Sequence, residues 1–223
     1  MSAEQLRSEL ASYGRRILHE RLATGAGGNI SARDENTMLI SPSGMSLEEV
    51  APDQFVAVDI ATGEFAQNGS RPSSEVLMHL ACYRRRPEVR AVVHTHPQFT
   101  IALTSSGHDL RPMFADVIIY LGKRIPHLDY ITVTTPELAA AVESQIAEHN
   151  CVIMRNHGVL TVGENLKQAF WRACTAEEAA RIQLLATLAG KPDFLDDQEA
   201  ERLESLRSEK YRRDLLSRMR TGE

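Results

Sequence analysis

The apolar segment Val89 to Val93, running into His94-Thr95-His96, restricts the fold of this chain more than any other stretch. Short apolar runs of this kind read as strands buried in a sheet. A strand turns successive side chains to opposite faces, so Val92, His94 and His96 share one face while Ala91, Val93 and Thr95 share the other. Two imidazoles at a period of two can be offered to one metal ion, but they need further ligands. His157 stands in Asn156-His157-Gly158, directly after the apolar run Cys151 to Met154, and Glu75 is an acidic candidate earlier in the chain. Three imidazoles and a carboxylate suit zinc, which takes nitrogen and oxygen donors tetrahedrally and keeps one exchangeable position when catalytic; manganese or iron can also be held. Taken singly, each residue has a plainer reading: a strand-end histidine serves as a hydrogen-bonded rim residue, and a carboxylate near a helix start serves the helix dipole.

The remaining pattern supplies layers for such a sheet. Leu6, Leu10, Tyr13 and Ile17 recur at helical spacing and predict a helix from about Ala3 to Ala23, ending before Thr24-Gly25-Ala26-Gly27-Gly28. Thr37 to Ile40 and Phe55 to Asp59 read as strands, broken by Ser41-Pro42-Ser43-Gly44 and closed by Ala61-Thr62-Gly63-Glu64. Pro72 stands where a helix starts, with Ser73, Ser74 and Glu75 in its first turn and Val76, Leu77, Leu80 and Ala81 as its apolar face. Pro97 to Leu103 reads as helical, Val117 to Leu121 and Ile125 to Leu128 as short strands, and Thr135-Pro136-Glu137 opens a helix to about His149. Cys151 to Met154 and Gly158 to Val162 are strands, and Asn165 to Ala189 is a long helix stopped by Gly190 and Pro192. Several neighbouring strands are joined by short turns, so a mostly antiparallel or mixed central sheet flanked by helices fits better than a parallel one. The tail from about 196 to 223 is dense in charge, with sparse apolar positions at Leu203, Leu206, Tyr211 and Leu215, and reads as a solvated helix or one that packs on a neighbouring subunit.

At 223 residues, residues 1–223 are expected to form one domain with its own core. A net charge of −5 gives no electrostatic case for nucleic acid or an anionic membrane, and no run is apolar enough to span a bilayer. Cys82, Cys151 and Cys174, an odd number set in apolar segments, point to buried thiols in a reducing compartment, and with no signal-like apolar stretch at the N-terminus the expected location is the cytoplasm.

Three clusters of small polar residues, Gly27-Gly28-Asn29-Ile30-Ser31, Ser41-Pro42-Ser43-Gly44 and Pro72-Ser73-Ser74-Glu75, are expected in loops or at a helix start. Together they offer N–H and hydroxyl donors for a phosphate; singly, each is ordinary turn chemistry. Neither the glycine spacing of a dinucleotide fold nor a lysine-containing phosphate loop is present.

In their order and spacing, Gly28-Asn29-Ile30-Ser31, Ser41-Pro42-Ser43-Gly44, Ser73-Ser74-Glu75, His94-Thr95-His96 and Asn156-His157-Gly158 resemble the class II aldolase/adducin family, from about residue 5 to residue 190. The resemblance is closest to the bacterial L-fuculose 1-phosphate aldolase branch, partly because 60 residues separate His96 from His157. It implies a three-layer α/β/α fold, a cyclic homotetramer with sites at subunit interfaces, and a phosphorylated sugar as partner. It also implies His94, His96 and His157 as zinc ligands, with Glu75 a ligand in the substrate-free site and the acid/base in catalysis. Asn29, Ser43, Gly44, Ser73 and Ser74 would bind the substrate phosphate, and Tyr130 would protonate the aldehyde oxygen. The implied activity is cleavage of a ketose or deoxyketose 1-phosphate to dihydroxyacetone phosphate and an aldehyde through an enediolate. No Schiff-base lysine is needed, in keeping with the absence of lysine between Met1 and Leu121. Two departures bear on substrate: Ala26-Gly27-Gly28 stands where this branch often has a threonine before Gly-Asn, and Ala115-Asp116-Val117 resembles a stretch of ribulose 5-phosphate 4-epimerases in which an aspartate is catalytic. A 4-epimerase, a decarboxylase or a dehydratase therefore stays open as an alternative, with a non-catalytic adducin-like module ranked lower because the metal histidines are retained.

Overall fold

The computed structural model describes residues 2–66, 69–206, 211 and 215. Seven strands form one sheet: β1 (Asn29–Asp34), β2 (Thr37–Ile40), β3 (Val56–Asp59), β4 (Ala91–Thr95), β5 (His127–Leu128), β6 (Cys151–Met154) and β7 (Gly158–Gly163). Their spatial order is β3-β2-β1-β4-β7-β6-β5. Every neighbouring pair is antiparallel except β5 with β6. Short turns explain this bias: Glu35 (φ 54°) helps close the β1–β2 hairpin and Asn156 (φ 58°) the β6–β7 turn, both in the left-handed region that tight reversals use. The one parallel pair needs a crossover, supplied by helix α5 (Pro136–Ile146).

Helices cover both faces of the sheet, giving three α/β/α layers. On one face α1 (Ala3–His19) and α6 (Leu166–Ala189) pack against Ile30, Ala32, Leu39, Ala91 and Val93. On the other, α2 (Val76–Arg85) and α5 meet Met38, Val58, Val92, Val152, Leu160 and Val162. The alternation of Val92 with Ala91 and Val93 is the period-two pattern of a strand buried on both sides. A third cluster packs α3 (Gln98–Ser105) and α4 (Ala115–Leu121) onto α6 and the β6–β7 end of the sheet, where small buried residues on α6, Ala176, Ala179 and Ala180, allow close approach.

Several elements differ from the sequence expectation. The first helix stops at His19 rather than near Ala23, because Arg21 adopts a left-handed conformation (φ 57°) that reverses the chain. Asn29-Ile30-Ser31, expected in a loop, opens β1, where Asn29 pairs with His94. The segment Val117 to Leu121 is helical rather than extended: Val117, Ile118 and Leu121 bury at spacings of one and four, and five apolar residues by themselves do not distinguish the two periods. The helix after Pro72 begins only at Val76, and the strand expected from Ile125 shortens to His127–Leu128. In the charged tail, α7 (Asp197–Ser205) is capped by Asp196, which accepts the Glu199 N–H at 2.8 Å, and buries only Ala200. Tyr211 and Leu215 are exposed, and the rest of the tail beyond Leu206 lies outside the described residues. Cys82 and Cys151 are buried, Cys174 is half-buried, and none of the three is in a disulfide. Among the described residues no helix is long and apolar enough to cross a membrane.

Phe170 ties α6 to α1: its ring meets Tyr13 edge-on at 5.4 Å, with the Arg16 guanidinium 4.5 Å from its centroid. Phe170→Ala is expected to cost about 3–5 kcal/mol in urea unfolding. Leu188→Ala, at a side chain 84% exposed, should stay within about 0.5 kcal/mol.

Candidate metal centre

His94 is the penultimate residue of the central strand β4, which lies between β1 and β7, so its ring is fully buried and faces the α2 side of the sheet with Val92. Glycines let the flanking strands approach this backbone. A Cβ at Gly158 would fall 2.2 Å from the Thr95 carbonyl oxygen and 2.9 Å from the His96 ring, and one at Gly28 (φ +73°) would fall 2.9 Å from the His94 carbonyl. His157 follows the left-handed Asn156 in the β6–β7 turn. Glu75 is the N-cap residue of α2 but makes no side-chain cap. Its carboxylate, in a residue only 7% exposed, turns to the imidazoles instead.

Glu75 Oε2 lies 3.0 Å from His94 Nε2, and Oε1 lies 3.0 Å from His157 Nε2. His94 Nε2 and His96 Nε2 are also 3.0 Å apart, and one ligand atom from each of the four residues lies within 4.8 Å of all the others. His94 Nδ1 donates to the Val159 carbonyl at 3.0 Å, which turns Nε2 toward the cluster. The approach of Oε1 to His157 lacks hydrogen-bond alignment, so Glu75 Oε1 is buried without a hydrogen-bond donor. Burial alone would raise the Glu75 carboxyl, but the facing His94 and His157 imidazoles outweigh it and hold its pKa well below the usual carboxylate range. Burial pushes His96 down to about 4, assisted by its like neighbours His94 and His157. An ionised carboxylate with an orphaned oxygen, set among three imidazole rings in a buried pocket, is a donor set that fits a divalent cation.

The structure also places the other predicted residues. A two-residue bridge between Pro42 and Pro72, with Ser43 N–H donating to the Arg71 carbonyl and Ser73 N–H to the Ser41 carbonyl, holds the two serine clusters side by side. Ser43, Gly44 and Ser74 are exposed there, with open space around Gly44, while Ser73 is buried and accepts the Glu75 N–H. Asn29 is buried and donates from its amide to Glu75 Oε2 at 2.9 Å. Tyr130 is 57% exposed, and among the described residues no hydrogen bond or ring contact ties it to the cluster. Asp116 lies in the first turn of α4, where a carboxylate favours the helix dipole.

Sequence reasoning missed His79 and Tyr83 behind the centre and read Ser31 only as part of a polar loop; all three are buried and joined by hydrogen bonds to Asn29. A signal for them existed. Glu75, His79 and Tyr83 recur every fourth residue on one helical face, and Asn29 and Ser31 share one face of a strand.

Residues 8–184 match the family model for the class II aldolase and adducin N-terminal domain. The chain is 33% identical over 205 residues to a 5-deoxy-D-ribulose 1-phosphate aldolase of Bacillus thuringiensis, covering 91% of this chain and 95% of that protein. It is 35% identical over 184 residues to a 5-methylthioribulose-1-phosphate/5-deoxyribulose-1-phosphate aldolase of Escherichia coli, covering 82% of this chain and 85% of the relative. Among solved structures, an L-fuculose 1-phosphate aldolase superposes with a TM-score of 0.84 at 32% identity, covering 91% and 96% of the two chains.

Gly158→Ala is expected to destabilise the protein by about 1–3 kcal/mol and to lower the metal retained per chain, read by urea unfolding and elemental analysis. Acidification provides a second check on metal-free protein. Burial lowers the buried His79 to about 3, and His96 sits at about 4, so both folded values lie below the ordinary histidine value. Between there and about pH 6.5 the unfolded chain binds protons that the native chain refuses. Stability should therefore be full above about pH 6.5 and fall as pH drops, by up to about 1.4 kcal/mol per pH unit per histidine. Urea midpoints at pH 7, 6 and 5 measure it, and His79→Gln should flatten the slope.

Proposed function

The chain belongs to the class II aldolase and adducin family, and from that premise we propose that it is a zinc-dependent enzyme cleaving a ketose or deoxyketose 1-phosphate to dihydroxyacetone phosphate and an aldehyde. It is a class II, metal-dependent aldolase acting on a phosphorylated sugar. The observation that carries the finer reading is the placement of Glu75, an ionised carboxylate held among three imidazoles beside the paired serine loops. Zinc suits three nitrogen donors and one oxygen donor. Relatives named for 5-deoxyribulose 1-phosphate and L-fuculose phosphate indicate substrates of that type.

His94, His96 and His157 would hold the ion, with Glu75 a fourth ligand in the substrate-free site. When bound, a divalent ion supplies positive charge against the negative charge that develops on the ketose carbonyl oxygen. Cleavage of the C3–C4 bond leaves its electron pair at C3, conjugated with the carbonyl, while the C4 hydroxyl proton would pass by way of Tyr130 to solvent as the aldehyde departs. Glu75, after taking up a proton from solvent, would deliver it to C3, the acid/base role of a carboxylate that exchanges a proton with the reacting carbon. The exposed Ser43, Gly44 and Ser74, together with Ser73 and the second amide proton of Asn29, would bind the phosphate, a reading supported by the bridge that holds the two serine loops side by side. Tyr130, at the surface of its own chain, would protonate the aldehyde oxygen in the condensation direction, and relay the C4 hydroxyl proton away in cleavage, at a site shared between subunits of a homotetramer. Unpaired, mostly buried cysteines favour a cytoplasmic setting.

Purified protein incubated with 5-deoxyribulose 1-phosphate and with L-fuculose 1-phosphate should release dihydroxyacetone phosphate, lose this activity on chelation and regain it with zinc. Interconversion of ribulose 5-phosphate without cleavage of either 1-phosphate would overturn the aldolase reading in favour of an epimerase. Glu75→Gln should keep about one metal ion per chain while kcat falls by about 10²–10⁴-fold.

A further inference from the structure

Behind Glu75 runs a buried chain of hydrogen bonds whose members beyond Asn29 no part of the proposed reaction uses. Asn29 Nδ2 lies 2.9 Å from Glu75 Oε2, and Asn29 Oδ1 lies 2.5 Å from His79 Nε2. His79 Nδ1 lies 2.7 Å from Ser31 Oγ, which lies 2.8 Å from the Tyr83 hydroxyl. Arg33, reaching from β1, donates to the Tyr83 carbonyl and at 3.2 Å to the Val89 carbonyl, which anchors the far end. All of Ser31, His79 and Tyr83 are essentially without solvent exposure, so water does not compete for these groups.

The direction of every bond in this chain follows from its end. An ionised carboxylate only accepts, so Asn29 must present its NH₂ to Glu75 and its carbonyl oxygen to His79. That oxygen also only accepts, so the His79 proton sits on Nε2. Burial keeps His79 neutral, its pKa pushed down to about 3, so Nδ1 is bare and takes the Ser31 hydroxyl proton. Ser31 Oγ in turn accepts from Tyr83. Rotating the Asn29 amide by half a turn would set its carbonyl oxygen against the carboxylate and an NH₂ against the Nε2–H, two repulsions at once.

We infer that His79 is a positioning residue: together with Ser31 and Tyr83 it locks the Asn29 amide, and through it fixes which Glu75 oxygen is tethered and which is left to meet substrate. Oε2 carries the Asn29 bond, whereas Oε1, with no hydrogen-bond donor, is the oxygen left for the proton transfer. This inference rests on the reading of Glu75 as the acid/base. A relay of this kind acts first on the geometry of the transfer, since of the proposed phosphate contacts only Asn29 belongs to it and the exposed ones lie on the serine loops.

The test combines spectroscopy with kinetics on the full-length, zinc-loaded protein, using 5-deoxyribulose 1-phosphate as the probe. Nitrogen-15 NMR of labelled histidines should show His79 protonated at Nε2 and bare at Nδ1; a proton at Nδ1 would overturn the relay. His79→Leu should lower kcat by about 10–100-fold with KM within about threefold and zinc content unchanged. His79→Gln, whose amide can accept from Ser31 and donate to Asn29, should restore kcat to within about threefold of the parent. Equal loss in the leucine and glutamine variants, parent-like kcat in His79→Leu, or an effect confined to KM would each refute it. Should His79→Leu fail to fold, Ser31→Ala keeps the ring and removes only its donor; a kcat loss of about 3–10-fold supports the relay, and an unchanged kcat sinks it. Glu75→Gln measured in parallel separates the two readings. An inactive Glu75→Gln beside a parent-like His79→Leu rejects the relay alone, whereas a fully active Glu75→Gln rejects both.

Discussion

Burying an ionised carboxylate is costly unless its charge is compensated, and breaking a buried pair leaves a penalty of about 3–5 kcal/mol. Glu75 is such a group, and much of the architecture is arranged around it. It stands at the start of α2, where an acidic side chain ordinarily caps its own helix, yet its oxygens turn to His94 and His157. The helix thus gives up a local cap for a tertiary contact. That exchange is stable only because β4, β7 and β1 bring imidazoles and an amide to the same point.

The sheet achieves this convergence through close packing at its centre. β4 is covered on both faces, with Ala91 and Val93 toward α1 and α6 and Val92 toward α2 and α5. Its register with β1 pairs Asn29 directly with His94, so the residue that tethers Glu75 and the residue that faces it are cross-strand neighbours. Gly158 and Gly28 are required for their lack of a side chain, since a Cβ at either would collide with the backbone of the His94-Thr95 segment. Chemistry and packing therefore constrain the same few residues. The dry surroundings that make the cluster electrostatically strong are also those that keep His79 neutral.

Much of this was legible from residue patterns. The strands Thr37–Ile40 and Cys151–Met154 match their apolar runs to the residue, and α5 and α6 begin at the Thr135-Pro136 and Asn165 signals that announce them. Where the pattern misled, the reason is physical. Val117 to Leu121 is too short for its period to show, and its helical state follows from packing on α6. Asn29-Ile30-Ser31 has the composition of a turn, yet pairing with β4 draws it into the sheet. Glu75 looked like a first-turn carboxylate because Pro72 suggests a helix start, but the Pro42–Pro72 bridge ties Pro72 to the neighbouring loop and a turn at Ser74 and Glu75 delays the helix to Val76. The exposure of Tyr130 is a different matter, since packing and not local order decides how much of a side chain reaches the surface.

By itself, the sequence determined the layer type, the identity of the four candidate ligands and the small-residue loops beside them, because hydrophobic period, helix signals and ligand chemistry are local properties written in adjacent residues. Only the tertiary structure decided that Glu75 meets His94 and His157 at 3.0 Å, that the two serine loops are bridged, and that Asn29, His79, Ser31 and Tyr83 form one directed chain. Those relations join residues about 20 to 80 positions apart, and their distances and hydrogen-bond directions are set by strand register and burial, which no local pattern specifies.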